Sequence, residues 1–194
     1  MLTSAFGAIG VGHKNHQEPY TENDWMNTEV KIHPYQKSKT LAEKAAWNFI
    51  ATEGKDIELA AVNPVGIMGP IYGKDYSHSM KIIRQMLDGE IKAVAKILSG
   101  YVDVRDVADL HILATTKPDA KGERFLATTG ETLSMLDVAT ILRQNLGEKA
   151  AKVPTKELPN FIIRLTAIFN PSLRIIATLL GQNMQPVILK QKSC

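Results

Sequence analysis

Apolar positions along the chain follow two rhythms. Short continuous runs predict buried strands: Leu2-Thr3-Ser4 as the tail of one, Ile57 to Val62 as a second, Tyr101-Val102-Asp103-Val104 as a third, and Glu123 to Thr128 as an edge strand after the Lys121-Gly122 turn. Between them the spacing turns helical. Pro34 favours a helix start at Tyr35, and Gly54 closes that helix near Thr52-Glu53-Gly54. A second helix covers Met80 to Leu87 and stops at Asp88-Gly89. A third follows Asp106 as its cap, and a fourth, capped by Thr132 or Ser134, runs to Gly147. Residues 90–100 leave a loop and a short strand equally open. Pro154 and Pro159 mark a linker, two apolar helices occupy 160–180, and residues past Gln185 read as a loose tail.

Composition narrows the class. With 194 residues, 44% of them hydrophobic, the chain can bury a core of one domain or slightly more. The net charge of +3 is spread along the sequence and not gathered into a basic run, which argues against nucleic acid as a partner. The single cysteine, Cys194, excludes a disulfide framework and a thiolate metal cluster and fits a reducing, cytoplasmic setting. The most apolar region, Phe161 to Leu180, is interrupted by Arg164, Asn170, Pro171 and Arg174. It therefore lacks the roughly 20 apolar residues a membrane span requires, and no membrane partner is expected.

Candidate chemistry concentrates at the start of the first long helix. Tyr35 and Lys39 are four residues apart and share a helix face, so the ammonium can approach the phenol oxygen. A free tyrosine titrates near ~10, and a neighbouring cation favours its phenolate, which suits the phenol to proton transfer. A bare Y-x-x-x-K is ordinary surface; its context decides. Gly7, Gly10 and Gly12 stand as G-x-x-G-x-G ahead of a polar stretch that opens no helix, so they do not form a dinucleotide-binding loop. His13, His16 and His33 have no metal-ligand spacing and read as loop residues, and no metal site is expected. Asn63-Pro64-Val65-Gly66-Ile67-Met68-Gly69-Pro70 predicts a rigid turn at the carboxyl end of a strand, where open α/β sheets bind ligands.

Tyr35-x-x-Ser38-Lys39 with Thr40-Leu41-Ala42-Glu43 and Ala45-Ala46-Trp47, the Asn63 to Pro70 segment, and Val102-Asp103-Val104-Arg105-Asp106-Val107-Ala108 occur in one order. Together they resemble the extended short-chain dehydrogenase/reductases of the NAD-dependent epimerase/dehydratase superfamily, in the dihydroflavonol-4-reductase-like branch of aldehyde and ketone reductases. Glu22-Asn23-Asp24-Trp25 is similar to an acidic-x-x-Trp pattern of the same branch. The implied fold is α/β: the C-terminal part of a Rossmann-type doubly wound parallel sheet with a smaller, mostly helical substrate subdomain. Residues 1–150 would form the partial Rossmann-type catalytic portion, interleaved with substrate-side segments. Residues 151–185 would form a helical substrate-side segment, and 186–194 a tail.

The resemblance implies an NADP-dependent carbonyl reductase, with NAD as the other cofactor open to it. Tyr35 would protonate the developing alkoxide of a small ketone or aldehyde, and Lys39 would lower the tyrosine's pKa and bind the nicotinamide ribose. Pro64, Val65, Gly66 and Ile67 would meet the nicotinamide carboxamide. The family's third catalytic residue is a serine at the strand end, but here Ala5 occupies that position. Ser4 or Thr3 is left as a substitute, and Ser4 reads equally well as a hydrogen-bonded strand terminus. The carboxylates of the Val102 to Ala108 segment are expected to pack and cap. The family's Gly-rich half is not recognisable in this sequence, so an inactive remnant or binding module is a second expectation. A nucleotide-sugar epimerase or dehydratase is a third, and a homodimer is a further expectation of the family.

Overall fold

The computed structural model describes residues 1–12, 18–30, 32–169 and 171–181; His13, His16, Cys194 and the tail expected past Gln185 lie outside them. The described residues divide into two compact units, one built from Met1–Gly69 and Gly100–Glu131, the other from Pro70–Ser99 and residues 132–181. The first begins with β1 (Leu2–Thr3), a short 3-10 turn at Phe6–Ala8, α1 (Pro34–Thr52), β2 (Ala61–Pro64) and β3 (Gly66–Met68). After α2 (His78–Asp88) and β4 (Val94–Ala95) come β5 (Leu98–Asp103), α3 (Val104–Thr116) and β6 (Arg124–Ala127). The chain continues through β7 (Thr132–Ser134), α4 (Met135–Leu146), β8 (Glu157–Leu158), α5 (Asn160–Thr166) and α6 (Pro171–Leu179).

In the first unit β1, β2 and β6 form a parallel sheet in that order, with Leu2 opposite Ala61 and Val62 opposite Phe125. β3 lies parallel to β5, with Gly66 opposite Tyr101 and Met68 opposite Asp103. Ile9, Val62, Val65, Val102, Val107, Leu126 and Ala127 are buried together as the apolar core of this unit. The parallel strands and the flanking helices bear out the Rossmann-type expectation.

Several boundaries differ from the sequence reading. β2 starts at Ala61 rather than Ile57, because the chain first turns after Gly54 (Ile57 N donates to Gly54 O at 2.9 Å) and leaves Ile57 exposed. Asn63-Pro64 is extended strand, not a tight turn. Val65 N donates to Ala127 O of β6, so the missing donor of Pro64 points to the opposite side, where β1 has already ended at Thr3. Asp103, not Asp106, caps α3: its carboxylate accepts from Arg105 N at 2.8 Å, and Asp106 lies inside the first turn. Three hydrogen bonds from Arg105, through N, Nε and Nη2, hold the Asp103 carboxyl down to about 2. His33 is not a plain loop residue, since its Nδ1 accepts from Tyr35 N at 3.2 Å as the cap of α1.

The second unit follows its apolar period closely. Met86, Val94, Ala139, Ala150 and Val153 are buried together, with Ile82, Leu87, Met135 and Leu142 packed around them. Ser77 caps α2, which ends at Gly89 in the left-handed region (φ 75°). Ser134 and Asp137 form a reciprocal capping box on α4. β4 and β8 pair in parallel, Val94 opposite Glu157.

Candidate active site

The inward face of α1 is polar. Gln36 and Lys39 are partly buried and Thr40 and Glu43 fully so, while Leu41 and Phe49 point outward and are exposed. What draws this face against the sheet is therefore not an apolar stripe but hydrogen bonding. Glu43, 0% exposed, receives one side chain from each strand of the parallel sheet region. Its Oε2 accepts from Ser4 Oγ just past β1 at 2.5 Å and from Asn63 Nδ2 of β2 at 2.9 Å. Its Oε1 accepts from Arg124 Nε of β6 at 2.7 Å and from Trp47 Nε1 at 3.4 Å.

Arg124 extends the network into the loop that precedes α1. Its Nη1 donates to Glu22 O at 2.6 Å and Asp24 O at 2.7 Å, and its guanidinium stacks 3.8 Å over the Trp25 ring. The acidic-x-x-Trp stretch noticed in the sequence thus supplies the outer half of an arginine cradle. Burial pushes the Glu43 carboxyl up. The hydrogen bonds from Arg124 and Ser4, the Arg124 charge and the Asn63 amide outweigh burial and hold it below the ordinary carboxylate value.

Tyr35 and Lys39 lie two turns and one turn before Glu43, at the amino end of the same helix. The helix comes close to the turn after β1 because Gly7 has no side chain: a Cβ there would stand 2.8 Å from Gln36 Cγ. Lys39 Nζ donates to Thr3 O at 3.4 Å. Tyr35 is 52% exposed, and its hydroxyl makes no hydrogen bond among the described residues. Elsewhere, Tyr20 and Tyr101 are both pushed up by burial, Tyr20 also by the Asp24 charge, and so are held away from the phenolate.

Ser4 is 5% exposed with its hydroxyl turned to Glu43, and Thr3 is exposed. Thr3 Oγ1 lies 2.9 Å from His111 Nε2, and His111 Nδ1 lies 2.7 Å from Val107 O. A carbonyl only accepts, so Nδ1 carries a proton, and in the neutral ring Nε2 accepts from the Thr3 hydroxyl. Pro64 and Val65 are buried at the end of β2, and Gly66 and Ile67 are half-buried in β3. The donor set at the head of α1, an open phenol and an ammonium with one long hydrogen bond, fits a carbonyl oxygen and a ribose hydroxyl. No group of three His, Cys, Asp or Glu among the described residues is arranged to hold a metal ion, and no helix among them is long and apolar enough to cross a membrane.

Glu43, Asn63, Arg124 and His111 were not singled out by sequence. The signals were present: Glu43 continues the Tyr35, Lys39 spacing by one more turn, and Arg124 is a charge inside a strand run, which burial permits only with a partner.

Residues 4–127 match the model of the NAD dependent epimerase/dehydratase family. The chain is 29% identical over 171 residues to NADPH-dependent methylglyoxal reductase GRE2 of Saccharomyces cerevisiae, covering 79% of this chain and 49% of that protein. It is 33% identical over 144 residues to cinnamoyl-CoA reductase 2 of Arabidopsis thaliana, covering 70% of this chain and 43% of that one. The crystal structure of yeast Gre2 complexed with NADPH superposes with a TM-score of 0.69 over 79% of this chain and 49% of that chain. The chain spans about half the length of the curated relatives it matches. The three motifs, the parallel sheet and these matches agree: the chain belongs to the NAD dependent epimerase/dehydratase family.

Proposed function

We propose that this chain carries the proton-transfer and carbonyl-binding part of an NADPH-dependent reductase acting on a small ketone or aldehyde. The observation that carries this reading is the half-exposed Tyr35, whose hydroxyl is unbonded among the described residues, with Lys39 one turn further along α1 and its ammonium anchored on Thr3 O. When bound, the nicotinamide supplies the hydride that reduces the carbonyl carbon. Tyr35 donates a hydrogen bond to the carbonyl oxygen and gives up its proton as negative charge builds there, so a ketone or aldehyde leaves as an alcohol. Lys39 stabilises the phenolate that remains and is the residue that would bind a ribose hydroxyl. Pro64, Val65, Gly66 and Ile67, running from the carboxyl end of β2 into β3, are the residues that would hold the carboxamide.

The names of the similar proteins support NADPH over NAD, since the yeast relative is called NADPH-dependent and its structure was solved with NADPH. Ser4 is a poor candidate for a direct contact to the substrate, because its buried hydroxyl is already bound to Glu43. A homodimer is a second reading, favoured by the outward apolar residues Leu41 and Phe49 on α1.

The test is titration of NADPH into the purified chain, followed by nicotinamide fluorescence, with turnover of small aldehydes and ketones measured beside it. Tyr35→Phe should abolish turnover and leave cofactor affinity within about twofold, whereas Lys39→Ala should weaken both; removing one such group costs on the order of 100-fold or more in rate. Retained turnover in Tyr35→Phe would overturn the assignment. Absence of cofactor binding by the folded chain would favour the remnant or binding-module reading.

A further inference from the structure

We infer that Glu43 is a positioning residue, whose bonds to Ser4, Asn63 and Arg124 set the rotation and height of α1 over the sheet and thereby place Tyr35 and Lys39. The inference rests on the reading of Tyr35 and Lys39 as the reacting pair. Asn63 lies in β2, Arg124 in β6 and Ser4 directly after β1, so three adjacent lines of the sheet each give one side chain to the same carboxylate. A single residue on the helix is thus referenced to three points on the sheet. Three points fix an orientation, which one contact cannot do.

Stability alone is a poor explanation for the arrangement. A buried ion pair is often no more stabilising than a well-packed apolar replacement. Here the cost is raised further, because Asn63 Oδ1 and Arg124 Nη2 are buried with no hydrogen-bond partner among the described residues. Geometry is what the network does supply. Lys39 lies one turn before Glu43, and its ammonium reaches Thr3 O, the residue next to Ser4. A rotation of α1 that broke the Ser4–Glu43 bond would carry Lys39 away from the same short strand. The Ser4 hydroxyl therefore acts on the reaction through Glu43 and not on the substrate.

A double-mutant cycle tests this, with circular dichroism confirming that each variant is folded. Glu43→Gln keeps the side-chain volume and loses the charge. It should lower kcat on the order of 100-fold, the cost of misplacing reacting groups by about an ångström, and raise KM for NADPH as Lys39 is displaced with α1. Ser4→Ala should lower kcat by about tenfold alone and add nothing once Glu43→Gln is in place. Multiplying losses would mean that Ser4 touches substrate, and unchanged kcat in Glu43→Gln would mean that Glu43 positions nothing; either overturns the inference. If Tyr35→Phe retains turnover while these variants lose it, the functional reading fails by itself.

A second measurement needs no turnover. In isotopically labelled protein, nuclear Overhauser contacts between the Lys39 ε-methylene and the backbone protons of Thr3 and Ser4 should be present in the wild type. They should disappear in Glu43→Gln, while those between Leu2 and Ala61 stay. Persistence of the Lys39 contacts in the variant would overturn the inference whether or not the chain is active.

Discussion

The two units are held by different kinds of core, and the difference sorts what a substitution does. In the second unit α2 and α4 pack apolar faces around Met86 and Ala139 and end in ordinary caps. In the first, α1 turns a polar face inward and is fastened by the Glu43 network, even though an apolar cluster lies beneath the same sheet. An apolar core tolerates small adjustments of helix rotation, because dispersion contacts are numerous and individually weak. A carboxylate held by three strands does not. The region that carries the candidate chemistry is the one with directional fastening.

The sharpest way to break the comparison is to unbalance the network. Arg124→Met leaves Glu43 buried without its cation and should cost about 3–5 kcal/mol in urea unfolding. Adding Glu43→Leu to Arg124→Met should recover a good part of that loss, and a double variant no more stable than the single would show that charge imbalance is not the cause. The pH dependence has a definite sign. The Glu43 carboxyl is held below its ordinary value in the folded chain, so its contribution is full above the unfolded-state value and is lost as pH falls through the lower folded one. Urea stability of the wild type should therefore fall on acidification through that window, with a shallower slope in Glu43→Gln; equal slopes would count against the network.

Smaller effects are expected in the second unit. Met86→Ala empties part of an apolar cluster and should cost roughly 2–4 kcal/mol, with no added pH dependence over the same window. A loss that grew with acidification would mean that this core is also coupled to a titrating group. Smallest is Ser134→Ala, which removes the cap of α4 and should cost about 1 kcal/mol. An unchanged unfolding midpoint would show that the capping box contributes nothing measurable to this unit.

The same division explains what was legible in the sequence. α2 with its Gly89 stop and α4 with its Ser134 cap were readable because apolar period and Ser/Gly punctuation act locally, whereas the Ser77 cap of α2 was not read. The head of α1 was readable from Tyr35 and Lys39, whose spacing is itself helical. The role of Glu43 was not, because its partners Ser4, Asn63 and Arg124 are 39, 20 and 81 residues away and only the sheet brings them together. The Asp106 cap failed for a milder reason: Asp103 also has the right chemistry, and the choice between two aspartates three residues apart depends on where β5 ends. Trp25 stood out as an isolated aromatic, yet its use as a platform for Arg124 follows from strand order and not from its neighbours in sequence.

Pro64 has a consequence for how the sheet can be assembled at all. Its imide nitrogen faces the β1 side of β2, beyond Thr3 where β1 ends, so the proline is silent in the register observed. Slide β2 by one residue and that nitrogen turns toward β6, where a donor is required and none exists, while Asn63 swings to the face opposite Glu43. Pro64 is in effect a parity check: slips by an odd number of residues are penalised, and the parity that survives is the one that keeps Asn63 on the face of its carboxylate.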